Sequence, residues 1–163
     1  MIKVLFVCLG NICRSPMAEF VFKDMVNKKG LSNEFYIESA ATSSEAVGEG
    51  IYFGTRNILK EQGIPFEERK SRQMSREDYN RFDYILGMEN KNIANILRIV
   101  GEDKQNKVHR LLDFSEKPRD ITDPWYTGDF DITYYDVEDG CSSFLEYLIR
   151  SKKWNQKNTL HIW

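Results

Sequence analysis

Residues 4–16, which read VLFVCLGNICRSP, contain the change from strand to helix on which the fold prediction depends. The first four residues are apolar, β-branched or aromatic, a pattern typical of a short strand buried on both faces. Ser15 and Pro16 suit the cap and the first turn of a helix. Apolar residues then recur at helical spacing as far as Gly30, which we expect to end that helix. The start of the chain therefore predicts a strand, a tight loop and a helix.

The alternation of strands and helices continues along the chain. Further strands are predicted at residues 35–37, 83–86 and 108–112, further helices at 51–62, 92–100 and 132–153, and loops at 40–50 and 113–131. Such alternation is typical of a parallel sheet with helices on both faces, which binds ligands beyond the carboxyl ends of its strands. We therefore predict an α/β fold with a four-stranded parallel sheet in a flavodoxin-type three-layer sandwich. Residues 1–153 form its single domain, and residues 154–163 form a C-terminal tail.

Length and composition indicate an ordinary globular chain. It has 163 residues, of which 41% are hydrophobic and 29% are charged, and these values argue against disorder, collagen and coiled coil. The net charge of −2 argues against a nucleic-acid partner. No apolar run is long enough for a membrane helix, and the N-terminus lacks the apolar core of a secretory signal. We therefore expect no membrane partner and a cytoplasmic location.

The three cysteines are Cys8, Cys13 and Cys141. Their odd number, in a chain without secretory features, argues against a disulfide framework. Their spacing and that of His109 and His161 match no zinc-ligand pattern, so we expect no metal site. Cys141 falls on the apolar stripe of the last predicted helix, and we expect it to lie in the core.

Acidic residues are concentrated in residues 113–139, where nine of them are accompanied by only Lys117 and Arg119. The net charge of this segment is −7, although the whole chain carries only −2. We expect most of these acids to lie on a solvated loop. One of them is a candidate for a chemical role, but composition alone does not identify it.

The loop of residues 8–15 is a candidate anion site, because it joins the carboxyl end of a strand to the amino end of a helix. Free N–H groups and the positive end of the helix dipole meet there and can form a nest for phosphate. We expect Gly10 to allow the tight turn, and Arg14 can hold two phosphate oxygens. Cys8 faces this positive site, so we expect a thiolate that can attack phosphorus. The alternative is a structural Cys8 with Arg14 on the surface.

These residues resemble the low-molecular-weight protein tyrosine phosphatases. The motif of that family is V-C-x-G-N-x-C-R-S-P, and residues 7–16 match every fixed position. A second family motif, Asp-Pro followed by aromatic residues, is matched by residues 123–126, and residues 39–41 and 82–86 also resemble family segments. The resemblance covers residues 1–150 and implies the phosphotyrosine phosphatase I-like fold.

The resemblance implies hydrolysis of phosphotyrosine in proteins or peptides, and of small aryl phosphates, without a metal or organic cofactor. Cys8 would form a cysteinyl-phosphate, while Arg14 and the loop amides hold the oxygens. Asp123 would protonate the leaving phenolate and then take a proton from the attacking water. Inorganic phosphate is the expected product. The protein is expected to be a monomer, with a weak dimer as the alternative.

The resemblance also assigns the residues around the nucleophile. The expected phosphate-binding loop consists of Leu9, Gly10, Asn11, Ile12, Cys13 and Ser15, beside Cys8 and Arg14. Ser15 would donate to the thiolate, and Asn11 and Ser39 would bond to each other and support the loop. In relatives, the equivalent of Cys13 can form a protective disulfide with the nucleophile. A filler role for Cys13 beneath the loop stays equally open.

Four residues are expected to line the substrate cleft: Ile12, Glu45, Trp125 and Tyr126. The two rings would form one wall, and their packing on the domain surface is the alternative. The resemblance implies that Ile12 favours an aromatic substrate. Relatives that act on phosphoarginine have Thr at this position. Many relatives have a bulky apolar residue at the position of Glu45, and a histidine near Arg69. We expect Glu45 to disfavour acidic peptides and Arg69 to attract them.

Two other functions stay open from the sequence. One is a phosphoarginine phosphatase or an arsenate reductase on the same fold. Arsenate reductases of this type need further cysteines to relay electrons, and only Cys141 remains for that task. The other is a non-catalytic phosphate-binding or redox-sensing module that uses Cys8 and Cys13. Such a module would have no need of Asp123.

Overall fold

The computed structural model describes residues 1–151, so the predicted tail and its boundary at residue 153 lie outside the described residues. Four strands form one sheet: β1 (Ile2–Cys8), β2 (Phe35–Ala41), β3 (Tyr84–Gly87) and β4 (Val108–Arg110). Their order across the sheet is β2-β1-β3-β4, and all neighbours pair in parallel. This order is that of a flavodoxin-type sheet.

Six α-helices connect and cover these strands within the part of the chain that is described. They are α1 (Arg14–Lys28), α2 (Phe53–Glu61), α3 (Asp78–Arg81), α4 (Asn90–Val100), α5 (Pro124–Thr127) and α6 (Phe130–Arg150). Short 3-10 helices occupy Ser32–Glu34 and Leu111–Phe114. None of the helices within residues 1–151 combines the length and the apolar character needed to cross a membrane.

The alternation of side chains along β1 forms two hydrophobic layers. Val4 and Phe6 pack in one cluster with residues of α1, α2 and α6, whereas Leu5 packs on the opposite side with residues of α4. Phe22 of α1 joins the first layer, because its ring contacts those of Phe6 and Phe144 at centroid distances of 5.7 and 5.4 Å. Each fully buried ring contributes about 1.5–3 kcal/mol. The predicted parallel sheet with helices on both faces is confirmed.

Two strand boundaries differ from the prediction. β2 continues beyond residue 37 to Ala41, because Ser39–Ala41 pair with the end of β1. Small residues carry a weak strand signal, but the central strand offers them a hydrogen-bonding partner. β4 ends at Arg110 instead of continuing to 112, since Asp113 accepts the Arg110 N–H at 3.0 Å and a 3-10 helix follows.

Helix α3 was not predicted from the sequence. It has only four residues, too few to show a hydrophobic period. Its first residue, Asp78, is fully buried and accepts hydrogen bonds from Arg72 and Arg81 and from the N–H of Ser75. A buried carboxylate with these partners fixes the short helix, and the partners come together only in the fold.

The acidic segment 113–139 is not the solvated loop that the sequence predicts. Five of its acids bind arginines: Asp113 and Asp120 contact Arg110, Asp136 and Asp139 contact Arg119, and Asp123 contacts Arg14. Asp129 accepts the N–H of Ile132 at 3.0 Å and caps α6, which therefore begins at Phe130. α5 also lies within this predicted loop. Most of the excess charge is therefore used for pairing and capping.

Candidate active site

The candidate site lies where the chain leaves the middle of the sheet. β1 ends at Cys8, and its two neighbours, β2 and β3, are reached by connections that run in opposite directions. Such a switch point leaves a crevice beyond the strand ends, where α/β sheets bind ligands. Residues 9–13 fill the turn between β1 and α1, at the place that the sequence predicted.

The shape of this loop depends on Asn11, which has a left-handed backbone with φ of 59°. Its side chain is fully buried, and its Nδ2 donates to the hydroxyl oxygens of Ser15 at 2.7 Å and Ser39 at 3.0 Å. Ser39 in turn donates to the buried carboxylate of Glu19 at 2.5 Å. Asn tolerates the left-handed region when its side chain finds such local partners.

Two sequence predictions for the loop are wrong. Gly10 is not the residue that takes the special backbone conformation, since its φ is not positive and an added Cβ would meet Ala46 at an ordinary 3.8 Å. Ser15 is not the helix cap, because Cys13 occupies the N-cap without a side-chain bond. The Ser15 hydroxyl contacts Asn11 and Cys8 instead. Both misassignments come from tertiary contacts that override local preference.

The Cys8 sulfur receives hydrogen bonds from the loop. Its Sγ accepts the N–H of Asn11 at 3.2 Å and lies 3.0 Å from Ser15 Oγ. The Ser15 hydroxyl has two acceptors within reach, the Cys8 sulfur at 3.0 Å and the Ala40 carbonyl at 3.5 Å, and the sulfur is the nearer one. Donors aimed at one sulfur stabilise the thiolate form, which is the nucleophilic form of cysteine.

The second loop cysteine has the opposite character. Burial raises the pKa of the Cys13 thiol to about 12, and the negative charges of Cys8 and Asp123 add to this effect against the opposing Arg14. Cys13 is therefore a neutral thiol near pH 7. Of the two loop cysteines, Cys8 is the one in the environment of a nucleophile.

The backbone of the loop offers free donors. Among the described residues, the N–H groups of Gly10, Ile12 and Cys13 find no hydrogen-bond acceptor. The first N–H groups of α1 follow directly, and they are also unpaired in any helix. Successive free N–H groups of this kind, together with the positive end of a helix, favour an anion with several oxygens.

Arg14 is almost completely buried, and three acceptors fix its guanidinium. Its Nη1 donates to Glu89 and to the carbonyl of Ile121 at 2.8 Å, and its Nη2 lies 3.3 Å from Asp123 Oδ2. The Nε–H has no partner within residues 1–151. The edge formed by Nε and Nη2 is therefore the one available to an anion in the loop.

Glu89 is a site residue that the sequence analysis missed. It precedes α4 and follows β3, with no recognisable motif around it. One signal existed: β3 is the parallel neighbour of β1, so the residues after both strands meet at the same edge of the sheet. Glu89 and Arg14 form an ion pair there.

Asp123 is held at the opening of α5. Its Oδ1 accepts the N–H of Trp125 at 3.0 Å, which makes it the N-cap, while Oδ2 faces Arg14. The carboxylate thus lines the same cavity as Cys8 and stays partly exposed. A carboxyl group so placed can exchange a proton with a ligand above the sulfur.

Arg69 does not extend towards substrate, contrary to the sequence prediction. Its guanidinium is largely buried and donates to the Asn11 carbonyl at 2.9 Å, to Asn11 Oδ1 and to Ser39 Oγ at 3.3 Å. Burial lowers the pKa of Arg69, although the charges of Glu19 and Cys8 oppose the shift. Arg69 therefore supports the left-handed loop residue from below.

A cavity of about 370 Å³ opens above Cys8. Its lining combines the loop with two walls: Cys8, Leu9, Gly10, Ile12, Cys13 and Arg14; Ser43, Glu45, Ala46 and Glu49; and Asp123, Trp125 and Tyr126. The structure thus brings together every residue predicted for the cleft. A larger groove of about 730 Å³ lies at the end of α6 and shares no residue with this site. Within residues 1–151, no cluster of three His, Cys, Asp or Glu side chains is suited to a metal ion.

Residues 3–154 match the sequence model of the family described as low molecular weight phosphotyrosine protein phosphatase. YfkJ of Bacillus subtilis, a low molecular weight protein-tyrosine-phosphatase, is 40% identical over 155 residues, which cover 94% of this chain and 99% of YfkJ. The low molecular weight phosphotyrosine protein phosphatase of Rattus norvegicus is 40% identical over 149 residues, 88% of this chain and 94% of the rat protein. The chain belongs to this family, which confirms the predicted resemblance and makes the protein an enzyme of the hydrolase class.

Solved structures agree with this assignment. The crystal structure of YfkJ aligns with a TM-score of 0.89 and 40% identity, covering 94% of this chain and 98% of that structure. A Drosophila protein described as an arginine phosphatase aligns with a TM-score of 0.82 and 30% identity, covering 90% and 97%. The fold is therefore shared by proteins whose names indicate different phosphorylated residues.

Proposed function

We propose that this protein hydrolyses phosphotyrosine in proteins or peptides, and small aryl phosphates, through a cysteinyl-phosphate on Cys8. One observation carries the proposal: the Cys8 sulfur, the free loop amides, Arg14 and Asp123 surround a single cavity. The names of the bacterial and rat relatives support tyrosine phosphate as the substrate class.

In the first step, the Cys8 thiolate attacks phosphorus in line with the leaving oxygen, and the bond from phosphorus to that oxygen breaks. Arg14 and the loop amides hold the other three oxygens and stabilise their charge. Asp123 gives its proton to the departing phenolate, whose pKa near 10 makes it a poor leaving group without protonation.

In the second step, water attacks the cysteinyl-phosphate. Asp123, now a carboxylate, takes a proton from that water, and the bond between phosphorus and the Cys8 sulfur breaks. Inorganic phosphate leaves, and Cys8 returns as a thiolate stabilised by Ser15 and the Asn11 N–H. No cofactor takes part in either step.

The cleft suits an aromatic group. Ile12 and Trp125 both line the cavity above Cys8, as does Tyr126, whose ring is largely exposed. A phenyl ring between them gains apolar contact without placing a charge there. The cytoplasmic location and the monomeric state stay predictions from the sequence.

Hydrolysis of p-nitrophenyl phosphate and of a phosphotyrosine peptide tests the proposal. Cys8→Ser is expected to abolish turnover, and Asp123→Asn to reduce it about 10²–10⁴-fold, the usual size of acid–base assistance. Cys141→Ala removes a fully buried thiol that does not line the cavity and serves as the cysteine control. Rapid acid quenching with labelled substrate should trap phosphate on Cys8. Full activity of Cys8→Ser would overturn the mechanism.

Phosphoarginine is the second candidate substrate, because the Drosophila structure described as an arginine phosphatase shares the fold. Ile12 argues for the aromatic substrate, since it gives the cavity an apolar wall. Comparing kcat/KM for phosphotyrosine and phosphoarginine decides between them, and a preference for phosphoarginine would replace the first proposal. Arsenate reduction has less support, because Cys141 is fully buried in α6 and unsuited to disulfide exchange.

A further inference from the structure

The proposed nucleophile and the proposed acid belong to segments that are far apart in sequence. Cys8 lies in the loop before α1, and Asp123 lies more than a hundred residues later. Arg14 contacts Asp123 and forms one link between the two segments. A second link passes through Tyr52, the residue immediately before α2, which neither motif includes.

The backbone near Tyr52 is tied to the phosphate loop. The N–H of Tyr52 donates to the carbonyl of Ile12 at 3.0 Å. The hydroxyl of Thr55, one turn further along, donates to the carbonyl of Cys13 at 3.0 Å and is completely buried. The start of α2 is therefore fixed to the loop at two successive carbonyls, those of Ile12 and Cys13.

The ring of Tyr52 packs against the acid segment, the part of the chain from Asp123 to Phe130. It meets the edge of Trp125 at a centroid distance of 5.0 Å and stacks on Phe130 at 5.8 Å, with an interplanar angle of 17°. Trp125 is bonded to Asp123 through its N–H, and Phe130 begins α6. The Tyr52 ring thus contacts the acid segment at two points, one within α5 and one at the start of α6.

The fit of this aromatic group is close. Gly54 faces the Phe130 ring, and a Cβ at Gly54 would lie 2.4–2.7 Å from three ring atoms. Carbon atoms do not approach so closely without displacement, so Phe130 occupies space that only a glycine leaves open. The position of Phe130, and with it the stack on Tyr52, is sterically defined.

We propose that Tyr52 is a positioning residue that sets the distance between the phosphate loop and Asp123. Its backbone holds the loop at Ile12, and its ring holds Trp125 and Phe130. Tyr52 lies outside the cavity lining, so its ring acts on the proton transfer through the position of Asp123 and not by touching the substrate. The inference rests on the proposed function, because it requires Asp123 to be the proton donor.

The expected effect of removing the Tyr52 ring depends on the leaving group of the substrate. Tyr52→Leu removes the ring but keeps the backbone bond to Ile12, so phosphate binding is retained while the acid is free to shift. A displacement of about 1 Å costs about 100-fold in a step that needs exact alignment. We expect kcat/KM for phenyl phosphate to fall about 10–100-fold. For 2,4-dinitrophenyl phosphate, whose phenolate leaves without a proton, we expect less than about a threefold change.

The experiment compares Tyr52→Leu with Tyr52→Phe, which keeps the ring, in the wild type and in Asp123→Asn. Both substrates and inhibition by inorganic phosphate are measured. The selective loss on phenyl phosphate should appear for Tyr52→Leu in the wild type and disappear in Asp123→Asn. Tyr52→Phe should stay within about threefold of the wild type, since its hydroxyl bonds to no described residue.

Three results would overturn the inference: equal losses on both substrates, the same loss in Asp123→Asn, or weaker inhibition by phosphate. If Tyr52→Leu does not fold, Gly54→Ala displaces Phe130 and carries the same test. Failure of the proposed function is distinguishable, because Asp123→Asn would then retain full activity on phenyl phosphate. The inference alone fails if Asp123→Asn is impaired and Tyr52→Leu shows no preference between the substrates.

Discussion

Replacing Arg69 with glutamine removes a guanidinium that is bound to the loop beneath the nucleophile. Arg69 donates to Asn11 Oδ1, to the Asn11 carbonyl and to Ser39. A hydrogen bond to a charged group contributes about 1.5–3 kcal/mol, and left-handed backbone costs a residue other than glycine about 1–2 kcal/mol. Glutamine recovers part of the bonding, and Asn11 keeps its bonds to Ser15. The net loss to the loop is about 1.5–3 kcal/mol.

That free energy corresponds to about a 10–100-fold fall in kcat/KM, at 1.36 kcal/mol for each factor of ten. The assay uses p-nitrophenyl phosphate and two phosphotyrosine peptides, one with acidic and one with basic flanks. If Arg69 supports the loop, kcat/KM of Arg69→Gln should fall by the same factor for all three substrates, at low and at high salt. Arg69→Lys keeps the charge but loses the planar fork, so we expect an intermediate loss.

The opposite outcome would show that the loop does not depend on Arg69. If Arg69→Gln raised KM only for the acidic peptide, and if salt removed the difference, the residue would be attracting substrate. That result would restore the prediction from sequence and refute the structural argument. Thermal unfolding of each variant separates a local change in the loop from general loss of the fold.

Two further predictions concern the cleft acids and the buried thiols. Glu45 and Glu49 both line the cavity, where their charges repel acidic peptides. The double variant E45Q/E49Q should therefore raise the ratio of kcat/KM for acidic over basic phosphopeptides about 2–10-fold at low salt. An unchanged ratio would contradict a role of these charges. Burial raises the pKa of Cys13 to about 12 and also raises that of Cys141. The folded chain then holds more protons than the unfolded chain above about pH 9, so the free energy of unfolding should fall there, by about 1.4 kcal/mol per pH unit for each thiol. Urea titrations between pH 8 and 11 measure this slope, and Cys141→Ala should reduce it; equal slopes in both proteins would refute the assignment.

The residues predicted from the sequence share a local signature. Residues 7–16 contain the nucleophile, the guanidinium and the loop amides in one continuous stretch, so a single motif is enough to identify them. Asp123 was found for a similar reason, because Pro124 and the aromatic residues follow it directly. These short-range patterns survive in the fold because a strand end, a turn and a helix start are decided by neighbouring residues.

The residues that the sequence missed, or in the case of Arg69 assigned to a different role, act over long range. Glu89, Arg69 and Tyr52 reach the site from three separate connections, and nothing next to them in the sequence indicates a partner at Arg14, Asn11 or Trp125. The same reason explains the errors within the motif. Asn11 rather than Gly10 takes the left-handed backbone because Ser15, Ser39 and Arg69 converge on its side chain, and that convergence exists only after folding.

The central place of β1 has a consequence for how the molecule opens. Cys8 ends a strand that is hydrogen-bonded on both sides, whereas Asp123 begins a four-residue helix between two loops. Segments with few buried contacts open locally at a free energy well below that of global unfolding. A local opening around α5 therefore withdraws the acid while the phosphate loop stays closed and intact. In that state the protein still binds a phosphate group, but transfer to the sulfur and release from it both wait for the segment to return, so turnover is less robust to warming than phosphate binding.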